Sequence, residues 1–267
     1  MCIAAWVWQA HPVYQLLLLQ NRDEFHDRPT KAVGWWGEGK QKILGGRDGT
    51  AGGTWMGCTR NGRVAFITNV LEPDFMPNAK SRGDLPVRFL ESWKSPLEFA
   101  EEVVKEEEEY NGFNLVLADV CTKVMVYVSN RPKGEPACIQ IVDPGLHVLS
   151  NAKLDTPWHK AQVLGKSLKE LLRSNGDKEV SAKEMVEKLM GNRAKAEKDG
   201  LPNTGCDSDW EHKLSSIYVE IDTKLGLFGT RSSAVLAVKT DGEVSFYEKY
   251  LENGAWKEHN VQYHVDA

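Results

Sequence analysis

The sequence predicts an α+β protein in which antiparallel sheets and helices are segregated along the chain. Three observations carry this. Apolar runs of strand length crowd the first and last thirds. Asn-Gly and Asp-Gly pairs stand between several of them, the strongest short hairpin signal. Capped amphipathic segments of helical spacing fill the middle. Strands, then helices, then strands again argue against a repeating strand–helix–strand alternation.

Taken in order, residues 2–8 and 14–20 read as a buried hairpin across the turn Gln9-Ala10-His11-Pro12. Ile43-Leu44 leads into a glycine-dense stretch at 45–57, expected to form tight turns and close backbone approaches. Residues 54–59 and 64–70 pair across Arg60-Asn61-Gly62-Arg63. Residues 113–118 and 124–129 form a further pair, and 139–142 and 146–150 flank Asp143-Pro144-Gly145. Helices fall between these strands. Asp84 precedes one over 85–93, and Ser95-Pro96-Leu97-Glu98 is a capping box opening another toward Glu109. Thr156-Pro157 opens a third, with Leu164, Leu168, Leu171 and Leu172 on one face. Ser181-Ala182-Lys183-Glu184 is a second capping box. Residues 191–215 read as a long polar surface loop. Strands return at 216–221, 233–238, 244–250 and 256–264, with Asp241-Gly242 and Asn253-Gly254 as turns. One domain over residues 1–267 is expected.

Composition removes several function classes. With 41% hydrophobic and 27% charged residues the chain is globular rather than disordered. Thirty-three basic against 38 acidic residues give a net charge of −5, so no nucleic-acid partner is expected. No apolar run is long enough for a transmembrane segment, and no basic region precedes the first apolar run, as a secretory signal requires. The five cysteines are widely spaced, with no Cys-x-x-Cys pair, which is the usage of a reduced compartment. The seven histidines lack metal-ligand spacing, so no metal site is expected.

Cys2 is the most informative position. Removal of Met1 would leave a cysteine with a free α-amine of pKa about 7.7–8.0, which can take the thiol proton. One residue then supplies nucleophile and base. Position alone favours a small residue at a buried strand edge, but Asn21-Arg22-Asp23-Glu24 lies at the far end of the hairpin, which returns it toward Cys2. An arginine there lowers a thiol pKa and an aspartate orients the amine or the arginine. Trp35, Trp36 and Trp55 flank the glycine-dense stretch and could line an apolar cleft.

These motifs resemble the NRDE-motif family called transport and Golgi organisation 2. The resemblance rests on Cys2 after Met1, on Asn21-Arg22-Asp23-Glu24, on Gly45-Gly46-Arg47-Asp48 and on Gly52-Gly53-Thr54-Trp55-Met56-Gly57. Ser81-Arg82-Gly83, Tyr110-Asn111-Gly112-Phe113-Asn114, Ser150-Asn151 and Gly229-Thr230-Arg231-Ser232-Ser233 continue it along the whole chain. It implies a four-layer αββα sandwich of the N-terminal-nucleophile hydrolase type, similar at a distance to bile-salt hydrolases and penicillin V acylases. By motif, it makes Cys2 the nucleophile, with Arg22 and Asp23 in support. Asn69 and Asn151 take the two asparagine positions and Arg231 the late arginine. One departure stands out. Those hydrolases space arginine and aspartate three apart, whereas Arg22 and Asp23 are adjacent and so alternate across a strand.

The resemblance implies two readings of function. One is haem trafficking and lipid or acyl-CoA homeostasis, with links to secretion and Golgi organisation. Its partner is a small molecule, haem or acyl-CoA-like, and its setting cytoplasmic, with mitochondrial or Golgi association. His11, His26 and His159 are unranked haem-ligand candidates, and no Cys-Pro dipeptide is present. The other is a cofactor-free cysteine hydrolase of an amide or thioester.

Overall fold

The computed structural model describes residues 2–37 and 41–266. The strands are β1 (Ile3–Trp8), β2 (Tyr14–Phe25), β3 (Thr30–Trp36), β4 (Ile43–Asp48), β5 (Met56–Thr59), β6 (Arg63–Asn69), β7 (Phe113–Asp119) and β8 (Val124–Ser129). They continue as β9 (Cys138–Ile141), β10 (Gly145–Leu149), β11 (Glu220–Thr223), β12 (Gly226–Lys239), β13 (Glu243–Glu252) and β14 (Ala255–His264). The α-helices are α1 (Asp84–Glu91), α2 (Pro96–Lys105), α3 (His159–Asn175), α4 (Ala182–Met185) and α5 (Ser208–Lys213). The chain divides into two compact units, one drawing on the chain up to Asp27, Leu71–Pro73 and Pro144–Gln262, the other on Arg28–Val70, Asp74–Asp143 and the chain from Tyr263. Each holds a seven-stranded sheet and its own helices, which is the expected α+β class.

In the first unit the sheet order is β10-β1-β2-β12-β13-β14, with β11 beside β12. The opening hairpin forms in antiparallel register, Ala5 facing Leu19 and Val7 facing Leu17. Ile3, Ala5, Val7, Leu17 and Leu19 pack with Ala161, Leu164, Leu168 and Leu172 of α3 in one core. Ala4, Trp6, Leu16 and Leu18, on the opposite face, are also fully buried. Burial on both faces is why these strands read as unbroken apolar runs rather than alternating ones.

Several boundaries differ from expectation. β2 continues through Phe25 because β12 pairs with it along nearly its whole length, so the charged motif lies inside a strand. α3 begins at His159, not at Thr156-Pro157. The Thr156 carbonyl accepts the Trp158 N–H at 2.8 Å and its hydroxyl donates to the Lys153 carbonyl at 2.7 Å, closing a turn first. Within 191–215, expected as loop, α5 forms with Asp207 capping the Trp210 N–H and with Glu211 buried. The strand expected at 216–221 forms later, as β11.

In the second unit the sheet order is β3-β4-β5-β6-β7-β8-β9. The Asn61-Gly62 turn joins β5 to β6, with Gly62 at φ +83°. The glycine-dense stretch earns its composition at Gly46, where a Cβ would lie 2.3 Å from the Trp55 ring. The α2 capping box is complete, with the Ser95 side chain accepting from the Glu98 N–H and Glu98 returning a bond to the Ser95 N–H. Buried Arg63 donates to the carbonyls of Phe89 at 3.1 Å and Lys94 at 2.6 Å, placing a cation at the end of α1. No helix among the described residues is long and apolar enough to cross a membrane.

Candidate functional site

The start of β1 and the end of β2 lie side by side, with Ile3 opposite Asn21. That register brings Cys2 against Asp23. The Cys2 thiol accepts the Asp23 N–H at 3.4 Å and lies 3.9 Å from the Asp23 carbonyl. The Cys2 carbonyl is held on its other side from the end of β10, by the Ser150 hydroxyl at 3.2 Å and Asn151 Nδ2 at 3.4 Å. Cys2 is 7% exposed. Burial raises the thiol pKa and the Asp23 carboxylate pushes it the same way, while the Asp23 backbone bond and the Arg22 charge pull it down. The thiol therefore rests protonated at neutral pH and needs a base.

Asp23 is itself held from β12. Its Oδ1 accepts the Thr230 hydroxyl at 2.7 Å, and that hydroxyl accepts the Val219 N–H at 2.9 Å. Despite adjacent positions on one strand, both Arg22 and Asp23 act electrostatically on the Cys2 thiol. Arg22 is buried opposite Ser232, beyond a bulge that skips Arg231 in the pairing. Arg231 directs Nη1 to the Phe25 carbonyl at 2.9 Å, and its charge helps lower the pKa of His26, after burial. Asn69 closes β6 in the second unit, opposite Phe113. Met1, whose removal would expose the Cys2 amine, lies outside the described residues.

The histidines singled out in the sequence are scattered. His11 sits in the first hairpin turn, its Nδ1 accepting the Val13 N–H at 3.2 Å. His26 follows β2. His159 opens α3 beside a narrow recess of about 20 Å³, whose wall includes Leu71, Asn151, Trp158, Lys160 and Leu214. No cluster of three or more metal-ligating side chains occurs among the described residues.

Lys160 is the site residue that the sequence reading misses. It lies in the first turn of α3, 3% exposed, with Nζ 3.1 Å from Asn151 Oδ1. Burial lowers its pKa to about 8, against the attraction of Asp23 and Cys2. One signal was present: lysine is disfavoured at the positive end of a helix dipole.

Comparison with known proteins shows what the chain is similar to. Residues 1–253 match the model of the family described as transport and Golgi organisation 2. The chain is 32% identical to the mouse transport and Golgi organization 2 homolog, over 100% of both chains. It is 35% identical to the Bos taurus homolog over 94% of this chain and 93% of that one. Among solved structures it is similar to a variant of the conjugated bile acid hydrolase from Clostridium perfringens. That likeness has 13% identity and a TM-score of 0.47, over 98% of this chain and 97% of the other. With the family model spanning nearly every residue and full-length relatives above 30% identity, the chain belongs to the transport and Golgi organisation 2 family.

Proposed function

We propose that the protein is a cysteine acyl-transfer enzyme that hydrolyses an amide or thioester, with Cys2 as N-terminal nucleophile. One observation carries the reading. The Cys2 thiol lies against the Asp23 N–H while its carbonyl is gripped by Ser150 and Asn151, so the residue is held from both sides among buried polar groups.

In this reading the free α-amine of Cys2 takes the thiol proton. The sulfur bonds to the substrate carbonyl carbon, and the carbonyl electron pair moves onto oxygen. Collapse of that intermediate breaks the C–N or C–S bond, and the leaving atom takes the proton back from the α-ammonium. Water then attacks the acyl-sulfur bond, releasing a carboxylic acid and restoring the thiol. No cofactor is needed. Arg22 lowers the cost of the thiolate, while Asp23, held by Thr230, fixes the backbone that touches it. Arg231 and Asn151 keep their resemblance-based roles as supports of the reaction.

A second reading, carriage of haem or an acyl-CoA-like ligand in cytoplasm, mitochondrion or Golgi, has one feature in its favour. His159 Nε2 is buried with no hydrogen-bond partner and its residue joins the recess wall. The decisive experiment is intact-mass spectrometry of Met1-processed protein mixed with short acyl thioesters and acyl amides. An acyl adduct on Cys2, absent in Cys2→Ala, supports the enzyme. Processed protein that neither forms an adduct nor turns over any member of the panel defeats it for those substrates and leaves carriage as the better reading.

A further inference from the structure

We propose that Lys160 is a positioning residue of the Cys2 site: it locks the Asn151 amide that holds the Cys2 carbonyl, and its charge supports the Cys2 thiolate. This rests on reading Cys2 as a reactive thiol.

The geometry begins with proton inventory. A lysine ammonium only donates. The atom it meets on Asn151 is therefore the amide oxygen, which turns Nδ2 toward the Cys2 carbonyl 3.4 Å away. Ser150 has a single hydroxyl proton, yet it lies 3.2 Å from the Cys2 carbonyl and 2.8 Å from Asn151 Oδ1. It cannot serve both at once. Lys160 is the donor that holds Oδ1 in either case, so the relay from Lys160 through Asn151 to Cys2 persists while Ser150 alternates.

The placement of Lys160 opposes stability twice. A buried cation loses its hydration, and the first turn of a helix repels positive charge. Charge kept under such conditions marks a place where charge is used. The groups around it fit that use. Cys2 and Asp23 act on it from the start of β1 and the end of β2, His159 adjoins it on α3, and Glu211 of α5 shares the recess wall. Asp23 and Cys2 both favour its charged form. The attraction is mutual, so the ammonium favours the thiolate in return. As pH rises through the Lys160 titration that support is lost.

The test measures iodoacetamide alkylation of Cys2 in the Met1-processed full chain, mapped by peptide mass, from about pH 6.5 to about pH 9.5. Wild type is compared with Lys160→Met, which removes donor and charge, and Lys160→Gln, which keeps an N–H donor for Asn151. Lys160→Met is expected to slow alkylation near neutral pH about tenfold, equivalent to raising the thiol pKa by about one unit. Lys160→Gln is expected to recover part of the rate but not the shifted midpoint. Wild-type rate and midpoint in the folded variants overturn the proposal. If Lys160→Met does not fold, the midpoint of Lys160→Gln decides. An acyl panel that leaves Cys2 unmodified, alongside alkylation that still depends on Lys160, rejects the hydrolase and retains the positioning role.

Discussion

Replacing Gly229 with alanine puts a methyl group into backbone. Gly229 has φ +158°, and an ideal Cβ there would lie 2.1 Å from the Val219 carbonyl oxygen, 2.7 Å from its carbon and 2.9 Å from the Glu220 Cα. All three are main-chain atoms, so no side-chain rotation relieves the overlap. β11 must move away from β12. That movement stretches the bond from the Thr230 N–H to the Val219 carbonyl at 2.8 Å and the return bond from the Val219 N–H to the Thr230 hydroxyl at 2.9 Å. Overpacking costs about 1–3 kcal/mol, and a weakened buried hydrogen bond adds about 1 kcal/mol. The sum for Gly229→Ala is about 3 kcal/mol. In a unit of this size each kcal/mol moves Tm by about 2–4 °C, so a fall of about 6–12 °C is expected by scanning calorimetry. Because Thr230 also grips Asp23, Cys2 alkylation should change in the same variant. A Tm within about 2 °C of wild type would refute the packing of β11 on β12 through this glycine.

Other outcomes follow from separate features. Leu168→Ala empties a fully buried site between α3 and the first sheet and should cost about 2–5 kcal/mol, read from the urea midpoint. Tyr263→Phe removes the hydroxyl that meets Cys58 Sγ at 3.2 Å and the Thr59 carbonyl at 3.1 Å, and should cost about 1–2 kcal/mol by the same measurement. Cys58 has its pKa raised from 9.0 to about 12, so its contribution is complete below pH 9 and is lost as pH rises toward 12, because the unfolded thiol ionises first. Cys58→Ala should therefore flatten the alkaline fall of stability between those limits, measured by urea titration across pH. Lys160 has the opposite sign: its pKa is lowered from 10.5 to about 8, so its burial penalises folding below pH 8 and the penalty fades toward pH 10.5. Lys160→Met should gain about 1–2 kcal/mol near pH 7 even as Cys2 slows, and lose that gain by about pH 10; destabilisation near pH 7 would contradict it.

Much of the fold was legible where one local rule dominated. The Asn61-Gly62 and Asn253-Gly254 turns fall where expected, with positive φ at Gly62, Asn253 and Gly254. Ser95 to Glu98 forms the full capping box. β3 was not foreseen, because Lys31, Gly34 and the bulge between them break any period-2 pattern. The end of β2 was misplaced for a related reason. Arg22 and Asp23 look like a solvated strand end, and only pairing with β12, some 200 residues later, buries them. Within the candidate site, Cys2, Arg22, Asp23 and Asn151 were legible as motif residues. Lys160 was not, because its meaning lies in what α3 carries it against. Asn21 shows the converse. It belongs to the same motif, yet its Nδ2 donates to the carbonyls of Met190 at 2.9 Å and Ile217 at 3.0 Å, so it braces the fold.

That brace has a consequence for how the protein is made. β1 and β2, made long before β10 and β12, occupy the middle of their sheet between those two strands. Asn21 waits for partners 169 and 196 residues downstream. Until then Leu16, Leu17, Leu18 and Leu19, all fully buried in the finished fold, have nowhere to go. Contacts this distant close slowly and leave apolar strands exposed meanwhile. Most of the second unit, by contrast, lies between Arg28 and Asp143 and emerges before the rest of the first. The nascent chain thus carries an unpaired apolar hairpin ahead of a largely formed neighbour. A holding chaperone that recognises extended leucine-rich segments is expected to engage residues 14–20 during synthesis, and to release them once β12 is complete.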